Sequence, residues 1–361
     1  MKDVRVAVIP GDGIGKEVVP EGVRVLKAAA QLHGGLRFEF TELPWGCDHY
    51  RREGAMMPDD GIDVLATFDQ VFLGAVGHPD VPDHISLWGL LIPIRREFEQ
   101  YINLRPIRLL RGVSSPLAGQ NAGDIDMVVV RENSEGEYSK MGGRIHEGTP
   151  FETAVQVDYF SRMGVERVMR HAFGLAERRA RRLTIATKSN GIVHTMPFWD
   201  QIAREVAGEH PDVEPELVLI DALAAYFVTR PESFDVVVAS NLYADILTDL
   251  GGAVMGSIGI APAANLNPEG RHPSMFEPVH GSAPDIAGKG IANPIGQIWT
   301  AKLLLDFLGA EDIGERLLAA IEATLVADVR TPDLGGSAGT TEVADHILAS
   351  FLDAPIASVT N

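Results

Sequence analysis

Short apolar runs rich in β-branched residues alternate along this chain with longer amphipathic stretches, and that alternation limits the fold more than any other feature. The runs at 4–9, 71–73, 127–130, 183–186, 217–220 and 236–239 read as strands, whereas 18–31, 159–178, 196–206 and 298–308 carry helical spacing. Strands separated by helical patterns define an α/β protein with a largely parallel sheet. No repeat of 20–50 residues, no low-complexity tract and no Pro/Gly/Ser linker marks a boundary between domains. With 45% hydrophobic and 22% charged residues among 361, the chain has material for one large domain or two lobes.

A formal net charge of −19 repels phosphate backbones and anionic lipid, so nucleic acid and membrane surfaces are excluded as expected partners. An anionic substrate would need a local cluster of cations. Cys47 is the single cysteine, which rules out an intramolecular disulfide and a cysteine-based metal site. The N-terminus enters a strand pattern directly, without a basic segment and a long apolar run, and no run approaches the ~18 residues of a spanning helix. The expected location is cytoplasmic.

Pro10-Gly-Asp-Gly-Ile-Gly15 stands between the first strand and the first helix, where a phosphate-binding turn belongs. Its spacing is not that of a Rossmann fingerprint, and no acidic residue ends a second strand at the right distance; a tight strand-to-helix turn explains it equally well. Arg95, Arg96 and Arg105 fall close together, and Arg131 directly follows a strand. A guanidinium at a strand end reaches the crevice where open α/β sheets bind ligands, and its planar fork grips carboxylates.

Asp245 and Asp249 are four apart in a helical segment that follows the strand at 236–239, so they share one helix face. Two like charges there are either solvated on a helix surface or held by a cation, for which oxygen donors suit Mg²⁺ or Mn²⁺. Asp221, at the end of the run 217–220, is a third carboxylate at a strand terminus. Lys188 follows the strand 183–186. A lysine serves as a base only when burial or a nearby cation lowers its pKa, which a divalent ion beside it would do.

Six ordered blocks resemble one family: Ile9-Pro-Gly-Asp-Gly-Ile-Gly15, Asn103-Leu-Arg-Pro106, Val130-Arg-Glu-Asn-Ser-Glu-Gly-Glu-Tyr138, Ala186-Thr-Lys-Ser-Asn190, Ser240-Asn241 through Asp249, and Phe276-Glu-Pro-Val-His-Gly-Ser-Ala-Pro-Asp-Ile-Ala-Gly288. Over residues 9 to about 339 the chain is similar to the β-decarboxylating dehydrogenases, which act on isopropylmalate, isocitrate, homoisocitrate, tartrate or D-malate. The resemblance implies an isopropylmalate dehydrogenase-like two-domain α/β fold with a large mixed, mostly parallel central sheet flanked by helices. A discontinuous cofactor-binding domain would span 1–100 plus 256–361, with an inserted substrate, metal and dimerisation domain at 101–255.

The same resemblance implies roles. Arg95, Arg105 and Arg131 would bind the substrate carboxylates, and Asp221, Asp245 and Asp249 would hold Mg²⁺ or Mn²⁺ at the α-hydroxyl and α-carboxylate. Lys188 would take the hydroxyl proton during hydride transfer to NAD, and Tyr138 would protonate C3 after CO₂ departs. Lys188 and Asp221 would come from the partner subunit of a homodimer. In the block 277–293, His280 would face adenine, and Gly281, Ser282 and Ala283 would admit the cofactor backbone. Asp285 would bind the ribose hydroxyls; with Ile286 it stands where NADP-linked relatives carry Lys-Tyr. Asn293 closes the set.

Substrate choice turns on Ser86-Leu-Trp-Gly-Leu-Leu-Ile-Pro93, just before Arg95. Trp88 offers a bulky ring where isocitrate enzymes carry an Asn, and no Glu of the isopropylmalate type lies between His78 and Arg95. The stretch is most similar to the tartrate/D-malate branch. Leu90-Leu-Ile-Pro93, where relatives carry Ser-Leu-Leu-Lys, makes the pocket more apolar and favours D-malate or an alkylmalate over tartrate. The alternatives are an isopropylmalate or other 3-alkylmalate dehydrogenase and, from another class, a catalytically silent nucleotide-binding protein, which would be expected to lack at least one of these residues.

Overall fold

The six apolar runs fold as strands because each offers β-branched residues that fill a pleated, covered surface. The computed structural model describes residues 1–353. Its strands are β1 (Lys2–Gly11), β2 (Leu36–Glu42), β3 (Gln70–Ala75), β4 (Ile102–Arg108), β5 (Asp126–Glu132), β6 (Gly142–Ile145), β7 (Thr153–Gln156), β8 (Arg182–Thr187), β9 (Glu214–Leu219), β10 (Val236–Ala239), β11 (Pro262–Leu266) and β12 (Ser274–Pro278). Ten of them form one sheet in the order β2-β1-β3-β12-β11-β4-β5-β10-β8-β9, while β6 and β7 form a separate antiparallel hairpin.

The sheet is mixed but mostly parallel. β1 runs parallel to β2 and β3, and β12 to β3; at the other end β5, β10, β8 and β9 are parallel in turn. Between these blocks β12, β11, β4 and β5 are antiparallel neighbours, so the two parallel blocks run in opposite directions. Helices Gly15–His33 and Ile295–Phe307 pack on the first half, and Arg162–Glu177 and Asn241–Val254 on the second. Strands from 1–100 and 256–361 fill one half of the sheet and strands from 101–255 the other.

Three expectations need adjusting. The run 217–220 ends as a strand at Leu219, and Ile220 opens the helix Ile220–Thr229, so Asp221 sits in a first helical turn rather than at a strand terminus. The helical stretch from 159 begins at Arg162, because the Ser161 hydroxyl caps it by accepting the Gly164 N–H at 3.0 Å. An acidic residue does end a second strand, since β2 closes on Glu42; that side chain lines a surface hollow with Pro10, Val19, Val23 and Lys27.

Candidate active site

The antiparallel step at the centre of the sheet gathers the cations. Register pairs Asn103 of β4 with Arg131 of β5, and strand alternation puts Arg105 on the same face as Asn103. Helix Asn241–Val254 lies over β4 so closely that a Cβ at Gly251 would stand 2.2 Å from Cδ1 of Ile107. Arg95 enters from the helix Ile92–Glu97. Together Arg95, Arg96, Arg105, Arg131, Tyr138 and Asp245 line a cavity of about 140 Å³, with Asn133, Ser134, Asn241, Leu87 and Ile92 completing its wall.

A buried polar network fixes these side chains. Arg95 donates to Glu277 at 2.6 Å, Asn265 Nδ2 donates to the same carboxylate at 2.7 Å, and Asn265 Oδ1 accepts from Asn103 at 2.6 Å. Asn103 Oδ1 in turn accepts Nε–H of Arg105 at 2.7 Å. Arg131 clasps the start of the long helix, donating from Nε and Nη2 to Asn241 at 3.0 and 2.6 Å and from Nη1 to Asp245. Arg105 reaches Asp245 at 3.3 Å, and the Tyr138 hydroxyl donates to its other oxygen at 2.8 Å.

Electrostatics follow from this packing. Burial alone would raise Asp245, but Arg131 and Arg105 outweigh it and hold the carboxyl below its usual range. One turn on, the balance reverses at Asp249: burial and the like charge of Asp245 outweigh Arg105 and Arg131 and push it up. Burial, reinforced by Asp245, raises the Tyr138 phenol, while burial and Arg105 lower Arg131. Lys188 and Asp221 stand elsewhere. They pair with each other at 2.7 Å on the surface, neither lines the cavity, and Lys188 holds the Asp221 carboxyl down. Among the described residues no group of three or more His, Cys, Asp or Glu is placed to hold a metal ion. One chain therefore supplies Asp245 and Asp249 together, and Asp221 apart from them.

The residues of the 277–293 block surround the glycine turn. Ser282 O accepts Ile14 N–H at 2.9 Å, and Gly13, at φ +53°, approaches so closely that a Cβ there would stand 1.9 Å from that oxygen. Asp12 is buried and accepts N–H groups of Cys47 and Gly77 at 2.8 and 2.9 Å, tying the turn to two further loops. Ile286 and Ala283 pack on Ile14 and Val18, and Asp285 and Gly281 stay exposed. Glu17 accepts N–H groups of Gly288 and Gly290 at 2.6 and 2.9 Å, while Asn293 bridges Asp333 at 3.0 Å and Ile295 N–H at 3.0 Å. His280 is buried, burial keeps its pKa low, and its Nε2 has no partner.

One residue of the specificity stretch is placed differently from expectation. Trp88 is not among the cavity residues: its ring lies between Arg96, 5.0 Å away, and Lys140, 4.7 Å away. Leu87 and Ile92 face the cavity instead, because residues Leu87–Leu91 form a π-helical turn that rotates the chain between two α-helical segments. Sequence reasoning also passed over Asn133, Ser134 and Asn241 as wall residues and Glu277 and Asn265 as network members. Alternation along Asn103-Leu-Arg105 was a signal for part of this network; neutral amides beside strands carry none.

Residues 5–347 match the model of the isocitrate/isopropylmalate dehydrogenase family, and the chain belongs to that family, as an oxidoreductase of its fold. Within the family it is 59% identical, over 96% of this chain and 98% of the other, to a probable tartrate dehydrogenase/decarboxylase of Bacillus subtilis. It is 56% identical to the decarboxylating D-malate dehydrogenase of Escherichia coli, covering 98% and 99% of the two chains. Among solved structures it is similar to isocitrate dehydrogenase from Methylococcus capsulatus, with a TM-score of 0.85, 31% identity and 96% and 99% coverage. It also resembles a β-decarboxylating dehydrogenase from Thermococcus kodakarensis, with a TM-score of 0.78, 40% identity and 97% and 96% coverage.

Proposed function

We propose that this protein oxidises and decarboxylates a 2-hydroxy dicarboxylic acid of the D-malate/tartrate type, using NAD and Mg²⁺ or Mn²⁺, at a site that two copies of the chain complete. The observation that carries the reading is the cavity itself. Four guanidiniums in a chain of net charge −19 converge on about 140 Å³, room for a small dianion. Leu87 and Ile92 favour a substrate with little polarity at C3, which supports D-malate, with an alkylmalate as the second reading.

The residues fit the groups they would hold. Asp245 and Asp249, one turn apart on the same helix, offer only hard oxygen donors, which suit Mg²⁺ or Mn²⁺. Because one chain brings only these two together, Asp221 is assigned to the partner's site in a homodimer, with Lys188 beside it. The unpartnered Nε2 of His280 is free to bond an adenine edge, and Asp285 is exposed for a ribose. When bound, NAD would accept hydride from C2 and the divalent ion would polarise the C2 oxygen.

Arg95, Arg105 and Arg131 orient the two carboxylates, so the C2 hydrogen and the C3 carboxylate are presented in fixed directions. Lys188 takes the hydroxyl proton. Loss of CO₂ from C3 leaves an enolate, and Tyr138, whose phenol is held protonated by burial and Asp245, supplies the proton to C3. We further propose that residues 1–100 plus 256–361 form the cofactor domain and 101–255 the substrate domain, and that the protein is cytoplasmic. Among the described residues no helix is long and apolar enough to cross a membrane. Following NAD reduction with Mn²⁺ and D-malate, meso- and L-tartrate, isopropylmalate or isocitrate tests the reading: D-malate should give the highest kcat/KM, and turnover of isocitrate alone would overturn it.

A further inference from the structure

Three carboxylates punctuate the segment from Arg131 to Tyr138, and none of them touches the cavity. Glu132 folds the turn on itself, accepting N–H groups of Ser134 and Glu135 at 2.9 and 2.8 Å. Glu135 crosses to Ser161, accepting its N–H at 2.7 Å and its hydroxyl at 2.6 Å. Glu137 reaches the helix that bears Asp245: one oxygen accepts the Ser240 hydroxyl at 2.7 Å and the other accepts the Leu242 N–H at 3.1 Å. Ser240 is the N-cap residue of that helix, yet its hydroxyl makes no capping bond. Glu137 takes over the capping, with a negative charge where the helix dipole favours one.

Two adjacent side chains thus hold the same helix at two heights. Glu137 grips its first turn, and the neighbouring Tyr138 donates to Asp245 one turn further along. The opposite side of the segment is held as well, because Arg96 donates to the Tyr138 carbonyl at 2.8 Å. A phenol that must deliver a proton to one carbon depends on this registration, since a displacement of about 1 Å can cost roughly 100-fold in rate.

We infer that Glu137 is a positioning residue for C3 protonation: by clamping the N-terminus of helix Asn241–Val254 it sets the Tyr138 phenol against Asp245 and the substrate carbon. This rests on the reading of Tyr138 as the proton donor. Glu137 touches no reacting atom; its contribution is geometric and separable from hydride transfer.

The test uses the full-length protein with NAD and Mn²⁺. Two reactions are followed: oxidative decarboxylation of D-malate, and NADH-dependent reduction of oxaloacetate, which reverses the hydride step and requires no proton at C3. Glu137→Ala should lower kcat for decarboxylation at least ~10-fold while reduction falls less than ~3-fold. Glu137→Gln, whose amide oxygen still accepts one of the two bonds, should lie between. Adding Glu137→Ala to Tyr138→Phe should cost little beyond Tyr138→Phe alone, because both act on one step. An equal fall in both reactions, or multiplicative effects in the double variant, would make Glu137 a general structural residue and overturn the inference. If Tyr138→Phe itself leaves decarboxylation intact, the assignment of Tyr138 fails first, and Glu137 with it.

Discussion

Individual residues were legible in the sequence where their charge had no other reason to be there. A cluster of arginines in an acidic chain, two of them beside strands or strand ends, and two aspartates one helical turn apart pointed to a site, and the cavity unites Arg95, Arg105, Arg131 and Asp245. Glu132, Glu135 and Glu137 were not legible, since a carboxylate that satisfies backbone N–H groups looks in sequence like any solvated one. Gly13 belongs to the same scale. Its positive φ and the 1.9 Å approach of Ser282 O to an added Cβ predict that Gly13→Ala costs stability on the order of 2 kcal/mol and weakens NAD binding. Thermal unfolding and a fluorescence titration with NAD measure both effects; a variant with wild-type values in each would show that the tight Gly13–Ser282 contact contributes to neither. Asp285 carries a second expectation. Its carboxylate repels a 2′-phosphate, so kcat/KM should favour NAD over NADP by at least ~10-fold, about 1.4 kcal/mol. Equal use of the two would detach Asp285 from the ribose.

At the scale of elements, long periodic segments were read correctly and the centre of the sheet was not. β4, β11 and β12 contain Pro106, Pro262 and Pro278, and β11 and β12 hold no β-branched residue. Their antiparallel pairing, which brings Asn103 opposite Arg131, is a tertiary outcome that local pattern does not encode. The helix Arg162–Glu177 contributes a pH dependence. Burial, with Arg178 adding to it, pushes His171 down to about 4. Below its unfolded pKa of about 6.5 the unfolded chain binds a proton that the folded chain does not, so stability present at neutral pH falls as pH drops from about 6.5 toward 4. At pH 5 this amounts to about 2 kcal/mol. Urea unfolding at pH 7 and pH 5 should reveal it, and His171→Gln should reduce the difference. An undiminished difference in the variant would assign the pH dependence to other groups.

The whole molecule was legible as an α/β fold with a mixed sheet, because six ordered blocks run through nearly the entire chain. Lys188 and Asp221 pair with each other away from the cavity that Asp245 lines, so the proposed four-residue site needs a second copy of the chain. Metal dependence follows at this scale: EDTA should abolish turnover and Mn²⁺ restore it, and Asp245→Asn should weaken Mn²⁺ binding at least ~10-fold, read by isothermal titration. Full activity in metal-free buffer would exclude the ion from the reaction. The most direct measurement of the shared site mixes two inactive homodimers, Lys188→Ala and Arg131→Ala, under conditions where subunit exchange is verified by mass spectrometry. One site of each heterodimer would then hold wild-type Lys188 and wild-type Arg131, so activity with D-malate, NAD and Mn²⁺ should return to about one quarter of the wild-type value for statistical exchange. Complete exchange with no recovered activity would place Lys188 and Arg131 in the site of a single subunit and contradict a site built from two.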